Sequence, residues 1–322
     1  RQGLAKPIYS PREELGFTTL LPELSGFRRL GRVLAMQQYV ALADGRTSEA
    51  IGLARVGMRL GQVVQTDTLI SGLVGVAISA ICIHPLAGHL DQLSARDCEQ
   101  LYQVCLEWLR MPDPYLHAIE AERSGMRQSL AEVRKKGPEF FIQSLGFDQL
   151  DPKDPKAPAY QQAIAEVRRM EQTPQQLDAF LGDVAAQLDR HYERLIAEAR
   201  KPVWQRENVE FQQDASLAGR CAEFLVPAMT HVSNVYTREQ AKVRLLACHA
   251  AIRRYRWEHD RLPASLEELS LAELAVDPFT GSMVRYEPRG TRYRLVSAGP
   301  VASADNAEAV DGRAPVSVVP GE

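Results

Sequence analysis

The chain has 322 residues, of which 45% are apolar and 25% are charged, with 21 glycines and 19 prolines. This composition is that of a globular protein and excludes collagen, low-complexity arrays and wholesale disorder. The 38 basic and 41 acidic residues leave a net charge of −3, which argues against a protein that binds nucleic acid through a strong positive field. The length predicts about two domains.

The cysteines do not form a recognisable framework. There are five, an odd number, and none has the C-x-x-C spacing of zinc sites or redox motifs. Cys98 and Cys105 share one face of a predicted helix but lie about 10 Å apart along it, so they cannot bridge each other. We therefore predict that all the cysteines are unpaired packing residues. They are Cys82, Cys98, Cys105, Cys221 and Cys248.

Residues 1–147 carry the signals of consecutive α-helices. Apolar residues recur at helical spacing from residue 26 to residue 43, Asp44-Gly45 ends that helix, and Glu49 begins the next. The segment from Ala41 to Ala50 resembles the inter-helix turn of a tetratricopeptide unit, and this resemblance implies a helical hairpin near 27–62. Further helices are predicted at 67–83, 94–110 and 114–136.

The longest apolar run extends from Leu69 to Ile83 and is interrupted by Ser71 and Ser79. A membrane-spanning helix needs about 20 residues, so we interpret this shorter run as a buried helix. Small residues recur at every fourth position, at Ser71, Gly75 and Ser79. Such a row lets the backbone of a neighbouring helix approach closely, and we predict a tight helix–helix contact on this face.

The middle of the chain begins with a proline-rich stretch. Pro152, Pro155 and Pro158 exclude regular structure there and predict a linker or loop over 148–158. Residues 159–227 then form a charged helical region. Its helices are predicted at 159–171, 174–201 and 213–226.

Residues 228–298 are predicted to contain a long helix followed by a small β-hairpin module. The helix is expected over about 229–259, since apolar residues follow one shifting stripe along it. Ser265 and Glu268 have the spacing of a capping box that opens a very short helix. The segment 277–281, Asp-Pro-Phe-Thr-Gly, is typical of a turn.

The hairpin strands are predicted at 283–287 and 292–297, with 288–291 as the turn between them. Residues 299–322 lack aromatic side chains and periodicity, and we predict a flexible tail. The helix, the short helix and the strands should share one small core. Its predicted members are Tyr255, Leu266, Leu269, Phe279, Tyr286 and Leu295.

Five segments near the C-terminus carry a family resemblance. They are residues 251–255, 260–269, 277–281, Tyr286 and 293–300. In order and spacing they make residues 241–300 resemble the globular module of type II secretion pseudopilins and the pseudopilin-like ends of bacterial extracytoplasmic proteins. The resemblance implies a long helix packed across a small antiparallel sheet. The fold class is therefore expected to be mainly α, with a tetratricopeptide-like helical-hairpin N-terminal region and a small α+β pseudopilin-like C-terminal module.

The resemblance covers under a fifth of the chain, and the chain departs from pseudopilins in lacking their hydrophobic N-terminal helix. Several pseudopilins bind calcium in the loop that follows the segment matching 297–300. Here Asp305 and Asp311 are the candidate ligands. Calcium needs six to eight oxygens, which two scattered carboxylates supply poorly. We predict no cofactor, with calcium as the open alternative.

Elsewhere the sequence has no Walker loop, G-x-S-x-G, H-E-x-x-H or G-x-G-x-x-G motif. The best candidate for chemistry combines His117, Glu120 and Glu122 with His84 and His89. His117 and Glu120 lie three residues apart and share one face of a predicted helix, a spacing used in helical metal sites. The competing interpretation is an ordinary charged face with capping histidines, so no catalytic residue is assigned.

The sequence thus predicts a non-enzymatic interaction or scaffold protein that binds a protein partner and no nucleic acid. The pseudopilin resemblance implies a place in the periplasm or cell envelope, with a cytoplasmic location as the alternative. Attachment to a membrane is expected only through a segment that precedes Arg1. The second hypothesis is a metal-dependent or acid–base enzyme centred on His117 and Glu120.

Overall fold

The structure is a computed structural model that describes residues 21–65, 68–144, 157–212, 214–226, 229–300 and 316–317. In this part of the chain the fold is mainly α-helical, with one small two-stranded antiparallel sheet. The helices are α1 (Glu23–Ala43), α2 (Thr47–Val64), α3 (Leu69–Ala87), α4 (Ala95–Leu109), α5 (Pro114–Lys136), α6 (Pro138–Ser144), α7 (Ala157–Arg169), α8 (Pro174–Ala199), α9 (Leu217–Leu225) and α10 (Met229–His259). The strands are β1 (Arg285–Arg289) and β2 (Arg292–Val296).

Helices α1 and α2 form the predicted helical hairpin. Gly45 lies in the turn between them with φ of +72°, a left-handed conformation that glycine adopts at little cost. Helix α2 begins at Thr47, two residues before the predicted start at Glu49. The hairpin is therefore observed, whereas its likeness to a tetratricopeptide unit stays a prediction.

Helix α3 lies at the centre of the N-terminal region. It packs against α1, α2, α5 and α10, and its first turn is capped by Thr68, whose hydroxyl accepts a hydrogen bond from the Ser71 N–H (3.0 Å). By length and composition it is also the one helix in the described ranges that could cross a membrane. In the folded chain most of it is buried against other helices, as predicted.

The contact between α2 and α3 is as close as the small-residue row predicts. A Cβ atom added at Gly61 would lie 2.7 Å from the carbonyl oxygen of Gly75, and one added at Gly57 would lie 2.6 Å from Cβ of Cys82. Ser79 faces Gly61 across the same contact. Ser71 has another role, since its hydroxyl accepts from the Thr68 N–H (2.8 Å) at the helix start.

Helices α5 to α9 form the middle region around a core to which Leu69 and Val76 of α3 and Val232 and Tyr236 of α10 also contribute. Helix α5 occupies the predicted range 114–136, because Asp113 caps its first turn and Gly137 ends it with φ of +90°. Helix α8 pairs with α5, and Asp189 accepts from Arg123 and Arg127 at 2.9 Å each. Helix α7 begins at Ala157, inside the predicted linker, of which residues 148–156 lie outside the described residues.

Helix α10 occupies the predicted range and is the element that joins the parts of the fold. One of its faces contributes Val243 and Leu246 to the core shared with α2, α3 and α4. The opposite face contributes Leu245 and Ile252 to the core of the C-terminal module. Because both faces are covered, the middle of this long helix is almost fully buried.

The β-hairpin is observed with shifted strand bounds: β1 begins at Arg285 instead of residue 283, and β2 ends at Val296 instead of residue 297. Strand β1 extends through Pro288 to Arg289, and only residues 290 and 291 form the turn. Gly290 has φ of +61°, which a two-residue turn of this kind requires. In a sheet of two strands each strand is an edge, so the missing N–H of Pro288 does not interrupt the pairing.

The predicted small core is present with one exception. Leu266 and Leu295 are buried, and Leu269, Phe279 and Tyr286 pack against the same cluster. Tyr255 instead donates its hydroxyl to Glu268 Oε2 (2.5 Å), while Glu268 Oε1 accepts from the Ala264 N–H (2.7 Å). The carboxylate of Glu268 therefore supports the short helix, and the predicted cap from the Ser265 side chain is not formed.

Asp277 holds the predicted turn in place from inside the module. Its side chain is buried and accepts from the Phe279 N–H (2.9 Å), the Ser297 hydroxyl (2.9 Å) and the Ala298 N–H (2.7 Å). Beyond the hairpin, Val316 is buried and pairs with Ser297 through two backbone hydrogen bonds of 3.0 and 3.1 Å. Val316 is therefore an exception to the predicted flexible tail.

All five cysteines are unpaired and buried, as predicted. Burial raises the pKa of the Cys98 thiol to about 11 and that of the Cys82 thiol to about 12. These thiols stay protonated at neutral pH and pack as small apolar side chains.

Candidate functional site

A cleft with a volume of about 520 Å³ opens between the N-terminal helices, the middle region and the C-terminal module. Its walls come from the end of α2, the turn between α4 and α5, the segment 201–206, the middle of α10, and Pro278 of the module. This volume lies within the range of sites that bind small molecules or single side chains of a partner. The cleft is the best-formed candidate site among the described residues.

Prolines fix the backbone on both sides of the cleft. Pro112 and Pro114 flank Asp113, whose carboxylate accepts from the Tyr115 N–H (3.0 Å) and starts α5. On the opposite side Pro202 begins the short 3₁₀ turn Val203–Gln205. Since proline fixes φ, the two walls hold their shape without a ligand.

Trp204 forms the part of the rim nearest the module. Its indole is 42% exposed, and it packs over Gly281, where an added Cβ would lie 2.6 Å from Cδ1 of the ring. Gly281 also has φ of +71°, so the position requires glycine for two reasons. The module therefore helps to hold an exposed aromatic ring at the mouth of the cleft.

Basic residues outnumber acidic ones in the cleft wall. Lys201, Arg206 and Arg244 line it, against the single carboxylate of Asp113. Arg206 donates to Asp113 Oδ2 (2.8 Å) and to the carbonyl oxygens of Ala199 (2.9 Å) and Lys201 (3.1 Å). Arg206 thus balances Asp113 and braces the wall. Lys201 pairs with Glu198 (2.6 Å), so the charge left for a ligand belongs to Arg244.

Two buried N–H groups in the wall have no hydrogen-bond acceptor among the residues that the structure describes. They are the indole Nε1–H of Trp108, a residue only 7% exposed, and the Nε–H of Arg244. Burial lowers the pKa of the Arg244 guanidinium, because the cation is partly withdrawn from water. Unpaired buried donors are rare and cost free energy, so both groups favour an acceptor supplied from outside the chain.

The floor of the cleft leads to a second polar group. Gln65 lines the cleft and donates from Nε2 to Glu239 Oε2 of α10 (3.3 Å). Glu239 is only 3% exposed, and burial raises its pKa to about 7. Near neutral pH this carboxyl group is therefore close to half protonated.

The three sequence-predicted site residues on α5 do not converge. His117 lines the cleft, whereas Glu120 lies in a separate groove with Arg123 and Glu193. Glu122 points toward the start of α3, where burial raises its pKa and the Leu69 N–H donates to its carboxylate. His117 and Glu120 share one side of α5 but border different grooves, because different elements cover the two positions. Glu122 points to another side of the helix.

The other predicted ligands do not complete a site either. His89 bonds the carbonyl oxygen of Pro85 through Nδ1 (2.7 Å). His84 lies about 22 Å along α3 from Leu69, the residue that Glu122 contacts. Asp305 and Asp311 lie outside the described residues. Within the described residues, no group of three His, Cys, Asp or Glu side chains is arranged to hold a metal ion.

The arginines near the end of α10 are engaged within the protein. Arg253 pairs with Asp91, Arg254 pairs with Glu99, and Arg256 donates to the carbonyl oxygen of Thr291 (3.1 Å). These charges link α10 to the loop before α4, to α4 itself and to the hairpin turn.

The sequence analysis missed the residues that distinguish the cleft: Trp108, Trp204, Arg244, Gln65 and Glu239. One signal was available for Glu239, which lies between Tyr236 and Val243 at the helical spacing of the buried face of α10. For the others there was none, because they meet only through the tertiary fold.

Comparison with known proteins does not identify a family for the chain. No protein-family model, no curated protein and no solved structure matches the chain. Any functional assignment must therefore come from the chemistry of the cleft and of the surface.

Proposed function

We propose that the chain is a non-enzymatic interaction protein that binds an acidic segment of a protein partner in the cleft. The observation that carries the proposal is the pair of buried, unpaired N–H donors on Trp108 and Arg244. Each of these groups could donate to a carboxylate of a ligand, and a hydrogen bond from the Arg244 guanidinium would be charge-assisted and therefore strong. Lys201 stands at the rim in an exposed ion pair with Glu198, which a ligand carboxylate would share.

The exposed residues at the rim favour a protein segment as the ligand. Trp204 is 42% exposed and Met111 is 40% exposed, both beside the basic groups. Tryptophan, methionine and arginine are enriched in protein–protein interfaces, where aromatic side chains fill the core of the contact. The ligand of this proposal therefore combines one carboxylate with neighbouring apolar side chains.

The proposal extends to the cellular setting predicted from the sequence, in the periplasm or cell envelope. It is supported by the pseudopilin resemblance of 241–300 and by the local geometry, in which a hairpin packs on the C-terminal half of a long helix. The tetratricopeptide-like character of α1 and α2 belongs to the same proposal, since such hairpins commonly serve protein binding.

Peptide binding tests the proposal directly. Two labelled heptapeptide pools would be compared by fluorescence anisotropy, one with a central Glu flanked by Leu, Phe and Pro, the other with Gln in its place. We expect the Glu pool to bind more tightly, and Arg244→Gln to weaken its binding about tenfold or more, since one charge-assisted hydrogen bond is worth about 1.4 kcal/mol or more.

Arg134→Gln is the matched control, because Arg134 pairs with Asp178 (2.7 Å) on the surface of the middle region. It should leave peptide binding unchanged. Equal binding of the Glu and Gln pools, or equal effects of the two arginine substitutions, would refute an acidic ligand in the cleft.

The alternative function is a metal-dependent or acid–base enzyme centred on His117 and Glu120. One observation favours it, the position of His117 in the cleft wall. Glu120 lies in another groove, so the geometry supports binding better than catalysis. Calorimetric titration with Zn²⁺ separates the two: heat that His117→Ala abolishes would favour the enzyme.

A further inference from the structure

The outer face of α1 exposes a row of large apolar side chains. Its inner face packs on α2 and α3 through residues such as Gly31 and Leu34. The outer side chains are Leu30 (46% exposed), Val33 (48%), Met36 (64%), Tyr39 (38%) and Val40 (56%). At about 100° per residue, Val33, Met36 and Val40 share the middle of the outer side, and Leu30 and Tyr39 lie at its two edges. A contiguous apolar surface of this kind marks an interaction site.

Three exposed arginines stand on the same outer surface. Arg28, Arg29 and Arg32 form no ion pair with any residue that the structure describes. Elsewhere exposed arginines do pair, for example Arg55 with Glu107 (2.7 Å) and Arg168 with Glu139 (2.9 Å). The outer face of α1 thus combines apolar side chains with positive charge that no described residue pairs.

We infer that this outer face of α1 docks on an anionic lipid surface. On a helix of 21 residues, about 30 Å long, the apolar row would enter the boundary between headgroups and acyl chains. The arginines, long enough to reach back, would contact lipid phosphates. A protein partner would need its own acidic rim beside an apolar groove, whereas an anionic bilayer offers both features everywhere on its surface.

This docking differs from a membrane span and from the cleft. Helix α3, which has the length and composition to cross a bilayer, is covered by other helices, whereas α1 lies along one side of the helical layer. Lipid binding here uses none of the residues of the cleft. Docking would leave the cleft available for a partner.

Vesicle co-sedimentation of the full chain tests the inference. Vesicles of phosphatidylcholine with 30% phosphatidylglycerol would be compared with vesicles of phosphatidylcholine alone, at 0.1 and 0.5 M salt. We expect binding to the anionic vesicles and its loss at high salt, since screening weakens charge attraction. Arg28→Gln, Arg29→Gln and Arg32→Gln together should lower the partition coefficient about 100-fold, at about fivefold for each arginine.

The matched control removes three exposed arginines from other surfaces: Arg55→Gln, Arg134→Gln and Arg168→Gln. It changes the net charge equally and should lower the partition only slightly. A second variant, Val33→Ser with Met36→Ser and Val40→Ser, tests apolar insertion without changing charge. It should also release the protein, and its exposed positions keep the fold intact.

Three outcomes would overturn the inference: no preference for anionic vesicles, equal loss in both arginine variants, or lipid-free self-association that the serine variant abolishes. The last would make the face an interface between copies of the chain. Arg244→Gln should leave vesicle binding unchanged, so failure of the cleft proposal and failure of this inference are distinguishable.

Discussion

The two sides of helix α2 show two ways in which helices meet. Toward α3 the helix presents Gly57 and Gly61, and the backbones come so close that no added Cβ fits. Toward the cleft it presents Gln62, and the facing elements stay apart, while Gln65 just beyond the helix end borders the cleft and also packs on Gly75. Neighbouring residues on one helix, Gly61 and Gln62, therefore belong to a closed contact and to an open site.

The difference follows from side-chain size and from polarity. The closed contact has glycine on one helix and Gly75, Ser79 and Cys82 on the other, so no side chain keeps the helices apart. In the cleft, bulky tryptophan and arginine side chains and rigid proline turns hold the walls open. The first arrangement stabilises the fold, and the second keeps hydrogen-bond donors unpaired for a partner.

Gly75→Ala should have the largest effect on stability. The new methyl group would overlap the Gly61 carbonyl oxygen and the Gln65 side chain, and the backbone atom cannot move without separating the helices. We expect a loss of about 2–3 kcal/mol in the free energy of unfolding, measured by urea denaturation. A variant as stable as the parent would mean that the contact is looser than described.

Gly182→Ala is the matched control in the interior of α8. No atom lies within 4 Å of the position of its Cβ, so the same substitution meets open space. Because alanine favours the helix more than glycine does, the free energy of unfolding of this variant should rise by up to about 1 kcal/mol. Opposite signs for the two variants would isolate close packing from helix propensity.

Glu239 lies where the closed contact and the cleft meet, and its titration should produce the next largest effect on stability. Its pKa is raised from about 4.5 to about 7 in the folded protein, so the folded state favours the protonated form. The stability that this provides is complete below pH 4.5 and is lost as the pH rises through 7. Glu239→Gln keeps the hydrogen bond to Gln65 and removes the titration.

The measurement compares the variant with the parent at pH 5 and pH 8, so that other titrating groups cancel. We expect the free energy of unfolding of Glu239→Gln, taken relative to that of the parent, to be about 1–2 kcal/mol higher at pH 8 than at pH 5. Glu107→Gln, on an exposed side chain paired with Arg55, is the matched control for the loss of a carboxylate. An unchanged difference between pH 5 and pH 8 would mean that Glu239 titrates normally.

Local signals predicted the closed contact better than the open site. The row Ser71, Gly75 and Ser79 lies within one helix, so its periodicity could be read directly, although its partner Gly61 could not. Helix α5 was predicted at its observed bounds because Pro114 and Gly137 act on neighbouring residues. The residues of the cleft are separated by more than 200 positions, from Gln62 to Pro278, and only the packing of α10 brings them together.

The smallest expected effect on stability comes from the rim of the cleft. Lys201 pairs with Glu198 (2.6 Å), but its side chain is 41% exposed, and Glu198 keeps a second bond from the Glu207 N–H (2.9 Å). Lys201→Gln should therefore change the free energy of unfolding by less than about 0.5 kcal/mol, the usual range for an exposed ion pair.

The control for Lys201→Gln is Lys136→Gln, which removes a similar surface pair with Glu132 outside the cleft. Both variants should melt within about 2 °C of the parent. In a protein of this size, a change of about 0.5 kcal/mol in the free energy of unfolding shifts the melting midpoint by only a few degrees. Only Lys201→Gln should weaken binding of the Glu peptide pool, and this difference should shrink at 0.5 M salt. A large loss of stability in Lys201→Gln would show that the rim of the cleft stabilises the fold. The cleft would then not differ from the closed contact in the way described.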